Sequence, residues 1–441
     1  MNGVTGPADP EPAIMPSRAN RSLLRDRSFI GMTATQFLGA FNDNLFKQAL
    51  LLLFVAVPVD GGTRDLQWIG TLVFSVPFIL FSGYAGFLSD RHGKRTVIYL
   101  SKVAEIVIMV MGALLFVLCA RQGISPLLVA LLSIVLFCMG SQSAFFGPGK
   151  YGILPELFRD SDLPQANGII LMTTFLAIIF GSGMAGFFFS NLIGVGLFCI
   201  LVAIIGTGTS LLVRRVPPSS PGLKFELSTL WISRETRLML GADRPLLSAL
   251  LASSVFWLAA AMVQMAVIAL GKLQLGENEF WTSVLTVSIS VGIAAGSLLA
   301  GAASRQRFNT RVLKTGLWGM VLFLLLMAPP GWGGRPPLLG YWGSLAALIA
   351  LGVCTGMFAV PLQVFMQSRP PAGEKGRMIA AQNLCNWIGI TMSAGLYWAS
   401  GRLLVLFNGP PSYTFALTAL LLLVVAVIYR PKDIPLIDGA P

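Results

Sequence analysis

Charged side chains are scarce in this chain. They are 11% of its 441 residues, while 55% are hydrophobic. A soluble domain carries about 25% charged residues, so the composition excludes a large soluble domain and makes lipid the expected solvent. The mean hydropathy of +0.76 agrees. Histidine is nearly absent, and His92 is the one instance. That excludes an HExxH metalloenzyme. It also excludes the His-x-x-x-x-Asp pattern of lipid acyltransferases, because Val97 stands where the Asp belongs. The five cysteines (Cys119, Cys138, Cys199, Cys354 and Cys385) lie in apolar runs without a CxxC. They read as small buried hydrophobes rather than a disulfide framework or zinc site. No Gly-Lys pair is followed by Ser or Thr: Arg95, Tyr151 and Leu273 follow Lys94, Lys150 and Lys272. A P-loop pump is therefore excluded. No catalytic residue, metal or cofactor is expected.

Acidic residues are also few, 19 against 31 Lys and Arg, for a formal charge of +12. The basic residues sit in short clusters between apolar runs. That is the pattern of cytoplasmic loops, not of a nucleic-acid surface. The polar segment 1–28 holds Arg18, Arg21, Arg25 and Arg27, and no cleavable signal peptide is expected there.

A helix needs about 20 apolar residues to cross a bilayer. Twelve spans are expected, at 29–57, 66–89, 96–119, 126–146, 167–190, 192–213, 246–270, 281–303, 312–328, 338–366, 378–400 and 411–429. With both termini cytoplasmic, 25 of the 31 basic residues fall on the inside. Only Arg64, Arg121, Lys272, Arg335 and Arg402 fall outside, and Lys47 lies within a span. The segment 214–245, which starts with Arg214 and Arg215, divides the chain. The expected layout is an all-α membrane protein: an N-terminal tail 1–28, a six-helix bundle 29–213, a central cytoplasmic loop 214–245, a second six-helix bundle 246–429 and a C-terminal tail 430–441. Two such halves around a midplane site suit alternating access.

The loop after span two runs from Gly86 through Asp90, Arg91, His92, Gly93 and Lys94 to Arg95. It matches the major facilitator signature G-x-L-x-D-R-x-G-[RK]-[RK]. Gly86, Asp90, Arg91, Gly93 and Lys94 are candidates for a cytoplasmic gate, completed by residues 374–377. Asp90 is suited to capping a helix N-terminus in the other half. The related segment 296–307 has Ala300 where an acid would stand and looks like a decayed copy.

Polar residues inside spans are costly, so each needs a role. A central charge costs about 2.5–3.5 kcal/mol on insertion scales. Span one carries Asn42, Asp43, Asn44 and Lys47. Asp43 and Lys47, four apart, can pair on one face. Two roles stand open: a structural lock, or a head-group or coupling-ion site. Glu105 in span three faces the same choice and can pair with Lys102. Lys150 follows a Gly/Pro-rich stretch expected to break span four near the cytoplasmic face; it is either a gate residue, an attractor for phosphate, or an interfacial cation. The second half offers amides instead: Gln264, Gln382, Asn383 and Asn386. Gln382 and Asn386 share a helix face, either lining a substrate path or joining helices.

Several stretches together resemble the bacterial lysophospholipid transporters (LplT-type) of the major facilitator superfamily. They are QFLGAFNDNLFKQAL, GPGKYGILPEL with ANGII, FWLAAAMVQ, GMFAVPLQVFMQ and AAQNLCNW, and they are spread over nearly the whole membrane region. The resemblance implies a multi-pass protein of the bacterial inner membrane, and a monomer is expected. It implies inward movement of lysophospholipids such as lysophosphatidylethanolamine, with reacylation by a separate acyltransferase. It marks Asp43 and Lys150, with Asn42 and Asn44, as functional. One departure is Gln264, where some members carry a basic residue, which bears on head-group preference. The alternative on the same fold is a proton-driven drug or metabolite exporter.

Overall fold

The computed structural model describes residues 23–59, 61–158, 162–218, 222, 232, 234–303, 309–330, 338–370 and 375–431. Most of both tails, residues 219–221, 223–231 and 233 of the central loop, and Glu374 of the expected gate lie outside the described residues.

A helix occupies each expected span. In the first half these are α1 (Arg27–Phe54), α2 (Gln67–His92), α3 (Lys94–Gln122), α4 (Pro126–Gly152), α6 (Leu163–Phe187) and α7 (Leu192–Ser210), with a short α5 (Leu154–Leu157) between α4 and α6. A two-stranded hairpin, β1 (Val57–Val59) and β2 (Gly62–Arg64), joins α1 to α2. The second half opens with the short α8 (Arg234–Ala242). It continues with α9 (Arg244–Ala269), α10 (Glu279–Ala303), α11 (Thr310–Met327), α12 (Gly340–Ser368), α13 (Lys375–Leu406) and α14 (Tyr413–Ile428). A π-helical turn, Leu270–Gln274, extends α9.

Among the described residues, eight helices are long and apolar enough to cross a membrane. Three long helices fall outside that set, α1, α6 and α13. Of these, α1 carries Asn42, Asp43, Asn44 and Lys47, and α13 carries Gln382, Asn383 and Asn386.

Side-chain caps start several helices. Asp26 accepts from the Ser28 and Phe29 amides at α1, Ser125 from Leu128 at α4, and Asp243 from Leu246 at α9. Each satisfies amides that the first turn leaves open. Gly93, at φ 84°, makes the sharp step between α2 and α3, a backbone that glycine adopts without strain. The expected break in α4 does not occur. The helix runs through Pro148 to Gly152. Glycine there serves packing: a Cβ at Gly149 would lie 3.0 Å from Ile98 Cγ1, and one at Gly152 would lie 2.8 Å from Lys94 Cε.

Each half has its own apolar core. Phe46 and Phe116 meet at 5.1 Å in the first, and Phe256 and Phe358 at 5.4 Å in the second. Large apolar side chains also cover the outside, such as Leu298 at 77% exposure, as a lipid-facing surface requires. The closest helix pair is α10 with α12. Gly292 and Gly296 face Gly352 and Gly356, and a Cβ on any of the four would collide with backbone across the interface. This is small-residue packing of the kind that draws helices together in lipid.

The halves meet chiefly through α2 with α13 and α6 with α10. Phe78 stacks on Trp387 at 3.7 Å, and Ser75 bonds Thr391 at 2.9 Å. Leu51, Leu52 and Val55 pack on Ile268 and Ala269. These contacts run from mid-helix to the end of the bundle that carries the β-hairpin, opposite the Gly86–Lys94 loop.

Candidate functional site

The site grows from α1, where successive polar residues turn to different neighbours. Asn42 is fully buried and faces α3 and α7. Its Nδ2 donates to Glu105 Oε1 at 2.8 Å and to the Cys199 carbonyl at 3.2 Å. Glu105 forms an ion pair with Lys102, and both side chains are 1% exposed. Gln142 Nε2 of α4 adds a bond to Glu105 Oε2 at 3.4 Å. Space for the Lys102 side chain comes from Gly39 and Gly206, where a Cβ would lie 3.2 and 3.1 Å from its Nζ. A buried ion pair persists only when its remaining valences are met. The further bonds to the carboxylate come from Asn42 and Gln142 of the first half, so Asn42 and Glu105 sit within its packing.

Asp43, one residue on, is only half-buried. Ser143 Oγ of α4 donates to its Oδ2 at 2.5 Å. Its Oδ1 is buried without a hydrogen-bond partner. A carboxylate oxygen left open in this way is suited to a ligand donor. The expected Asp43–Lys47 pair is not made. Ser143 takes the carboxylate, and the Lys47 ammonium instead lies 5.3 Å from the centre of the Phe74 ring on α2, a cation–π contact. Asn44 turns back on its own helix, donating to the Ala40 carbonyl at 2.7 Å.

Lys150, 9% exposed, lies within electrostatic reach of Asp43. Its Nζ donates to Thr174 Oγ1 at 3.0 Å, and that hydroxyl lies 2.8 Å from Gln36 Oε1. Gln36 Nε2 in turn donates to Thr173 Oγ1 at 2.6 Å. Helices α1, α4 and α6 thus share one polar chain leading to the ammonium. Gln36, Ser143 and Thr174 were not among the residues that sequence reasoning selected. Gln36 lies seven residues before Asp43, two helical turns along α1, and that spacing was the available signal.

Two of the second-half amides are occupied within their own half. Gln382 Nε2 donates to Gln363 Oε1 at 2.6 Å, and Asn386 Oδ1 accepts from Ser253 Oγ at 3.0 Å. Asn383 is exposed. Gln264 Nε2 crosses between halves to Gln48 Oε1 at 3.4 Å. The described residues contain no group of three or more metal-ligating side chains.

At the loop end, Asp90 does not cap a helix of the other half. Its Oδ1 lies 3.1 Å from Lys94 Nζ, four residues on, and Lys94 also pairs with Glu156. Arg91 is exposed, with its guanidinium 5.8 Å from the Phe87 ring centre. A Cβ at Gly86 would meet nothing within 4 Å, so this glycine makes no close helix contact in this conformation. The signature residues are engaged within the first half.

With this geometry in view, comparison with known proteins is informative. Residues 32–394 match the family model described as Major Facilitator Superfamily. The lysophospholipid transporter LplT of Klebsiella pneumoniae (strain 342) is 27% identical over 389 residues, covering 85% of this chain and 89% of the relative. The protein of the same name from Photorhabdus laumondii is 28% identical over 382 residues, covering 85% and 88%. Among solved structures, the POT family transporter PepTSo superposes with a TM-score of 0.67 at 14% identity, covering 92% of this chain and 97% of that one. The nucleoside transporter NupG gives 0.63 at 13%, covering 91% and 98%. The structural likenesses establish the fold alone.

Proposed function

The chain belongs to the major facilitator superfamily of secondary transporters, and from that premise we propose that it moves lysophospholipids across a bacterial inner membrane to the cytoplasmic leaflet. In this reading α1–α4, α6, α7 and α9–α14 are twelve spans, both termini are cytoplasmic, and residues 29–213 and 246–429 are the two rocking bundles. Asp43 and Lys150 carry the head-group site, and the bundles alternate access to it. The observation that carries the reading is the half-buried Asp43, with Oδ1 unpartnered, within electrostatic reach of Lys150. A zwitterionic head group offers an ammonium to the first and a phosphate to the second. The relatives named lysophospholipid transporters support the substrate class. Contacts between halves toward the hairpin end, with Asp90 engaged inside its own half, suit a state open toward the cytoplasm.

The test is uptake of labelled lysophosphatidylethanolamine by spheroplasts lacking their own transporter. Wild type should restore uptake, and Asp43→Asn at equal membrane abundance should lose it. A well-expressed wild type that moves no lysolipid would overturn the substrate and favour the exporter reading.

A further inference from the structure

Asp65 lies between β2 and α2, at the end of the bundle that the proposed topology places outside. It plays no part in the head-group site. Its Oδ2 accepts from Tyr397 OH of α13 at 2.6 Å and from Gln67 Nε2 at 3.1 Å, while its Oδ1 accepts from the Gln67 amide at 3.0 Å. Gln67 Nε2 also reaches the Met265 carbonyl of α9 at 3.3 Å, and Tyr397 OH reaches the same carbonyl at 3.5 Å. The carboxylate thus bonds α13 directly, and its partners Gln67 and Tyr397 extend the link to α9. Gln67 is fully buried and Tyr397 is 7% exposed. Trp68 and Trp398 face each other beside them, ring centres 6.3 Å apart.

We propose that Asp65 and Tyr397 form a proton-binding outer gate, whose closure is favoured by binding of a proton from the external face in acid. The groups bonded to the carboxylate are Gln67 from α2 and Tyr397 from α13, and both of these also reach the Met265 carbonyl of α9. Arg64 on the hairpin beside it is exposed, and Arg402 on α13 lies over the Trp398 ring at 5.7 Å. Among the described residues, the groups that act on the carboxylate are the neutral Tyr397 and Gln67. Burial raises its pKa from 3.8 to about 6, outweighing the three hydrogen bonds that lower it.

The sign follows from linkage. When the halves separate at this end, water reaches Asp65 and its proton affinity falls to the ordinary carboxylate value. The closed gate binds the proton more tightly, so protonation stabilises closure. The effect is absent well above pH 6, develops as pH falls through 6 and saturates below 3.8. Between pH 8 and pH 5 the closed-to-open ratio should rise roughly tenfold, one decade per pH step below the closed-state pKa.

The test is hydrogen–deuterium exchange of the full chain in lipid nanodiscs without substrate, at pH 8 and pH 5, with times scaled for intrinsic exchange. Peptides covering 57–72 and 395–406 should be about tenfold more protected at pH 5. Asp65→Asn, permanently neutral, should show the protected pattern at both pH values. Tyr397→Phe keeps the ring and the Gln67 bonds but removes a donor that stabilises the carboxylate, so its midpoint should move to higher pH. Equal wild-type protection at both pH values would overturn the proposal. So would an Asp65→Asn chain that keeps the pH response, or a Tyr397→Phe midpoint identical to wild type. Because no lysolipid is present, failure here is separable from failure of the substrate reading.

Discussion

In the first half, Lys94, Lys102, Glu105 and Lys150 are all buried; among the described residues of the second half, the buried polar groups are amides and hydroxyls. The second half draws two helices together through Gly292, Gly296, Gly352 and Gly356. The first half instead places a hydrogen-bonded ion pair where α1, α3, α4 and α7 converge. Charge in lipid is costly unless fully partnered, so it concentrates where one half can supply every partner. The contrast separates two kinds of first-half charge. Lys102 and Glu105 pair with each other among first-half neighbours, whereas Asp43 keeps a buried oxygen without a hydrogen-bond partner.

The largest expected effect breaks the closed pair. Lys102→Ala leaves Glu105 buried and uncompensated, and should cost about 3–5 kcal/mol. Thermal unfolding in detergent checks this. A Lys102→Met, Glu105→Leu double variant should recover most of the loss, and if it stays as unstable as the single variant, the pair is more than a lock. Asp43→Asn should show the reverse profile, with near-normal unfolding and lost uptake.

The glycine interface sets the next scale. Gly296→Val should push α10 from α12 and cost about 1–3 kcal/mol, read as a lower unfolding temperature. A matching substitution at Gly86, where a side chain has room in this conformation, should leave unfolding unchanged. It should slow transport if that end closes during the cycle. Thr174→Val should weaken uptake by about tenfold through the lost bond to a charged ammonium, with expression unchanged. The smallest effect is expected at Gln382→Ala, a few-fold at most in uptake, because intramembrane amide bonds contribute about 1 kcal/mol or less.

Much of this was legible in the residues. A helix overlaps each expected range, and among the described residues eight are long and apolar enough to cross a membrane, as a bilayer requires of an internally bonded backbone. The Lys102–Glu105 pairing followed from their spacing of three. What stayed hidden was direction. Asp43 and Lys47 share a face by spacing, yet α4 and α2 offered Ser143 and Phe74, and the pair was not made. Pro148 and its glycines predicted a break, but α3 packs against those glycines and α4 continues.

The sequence by itself determined the solvent of this protein, the positions of its helices, its family resemblance and the confinement of intramembrane charge to one half. Those properties reside in local composition and period. Only the tertiary structure decided which charges are sealed and which stay open, that Gln36 and Thr174 lead to Lys150, and that Asp65 meets Tyr397 across 332 positions of chain. A buried polar group takes its partner from whichever helix packs beside it, and no local pattern in the chain specifies that neighbour.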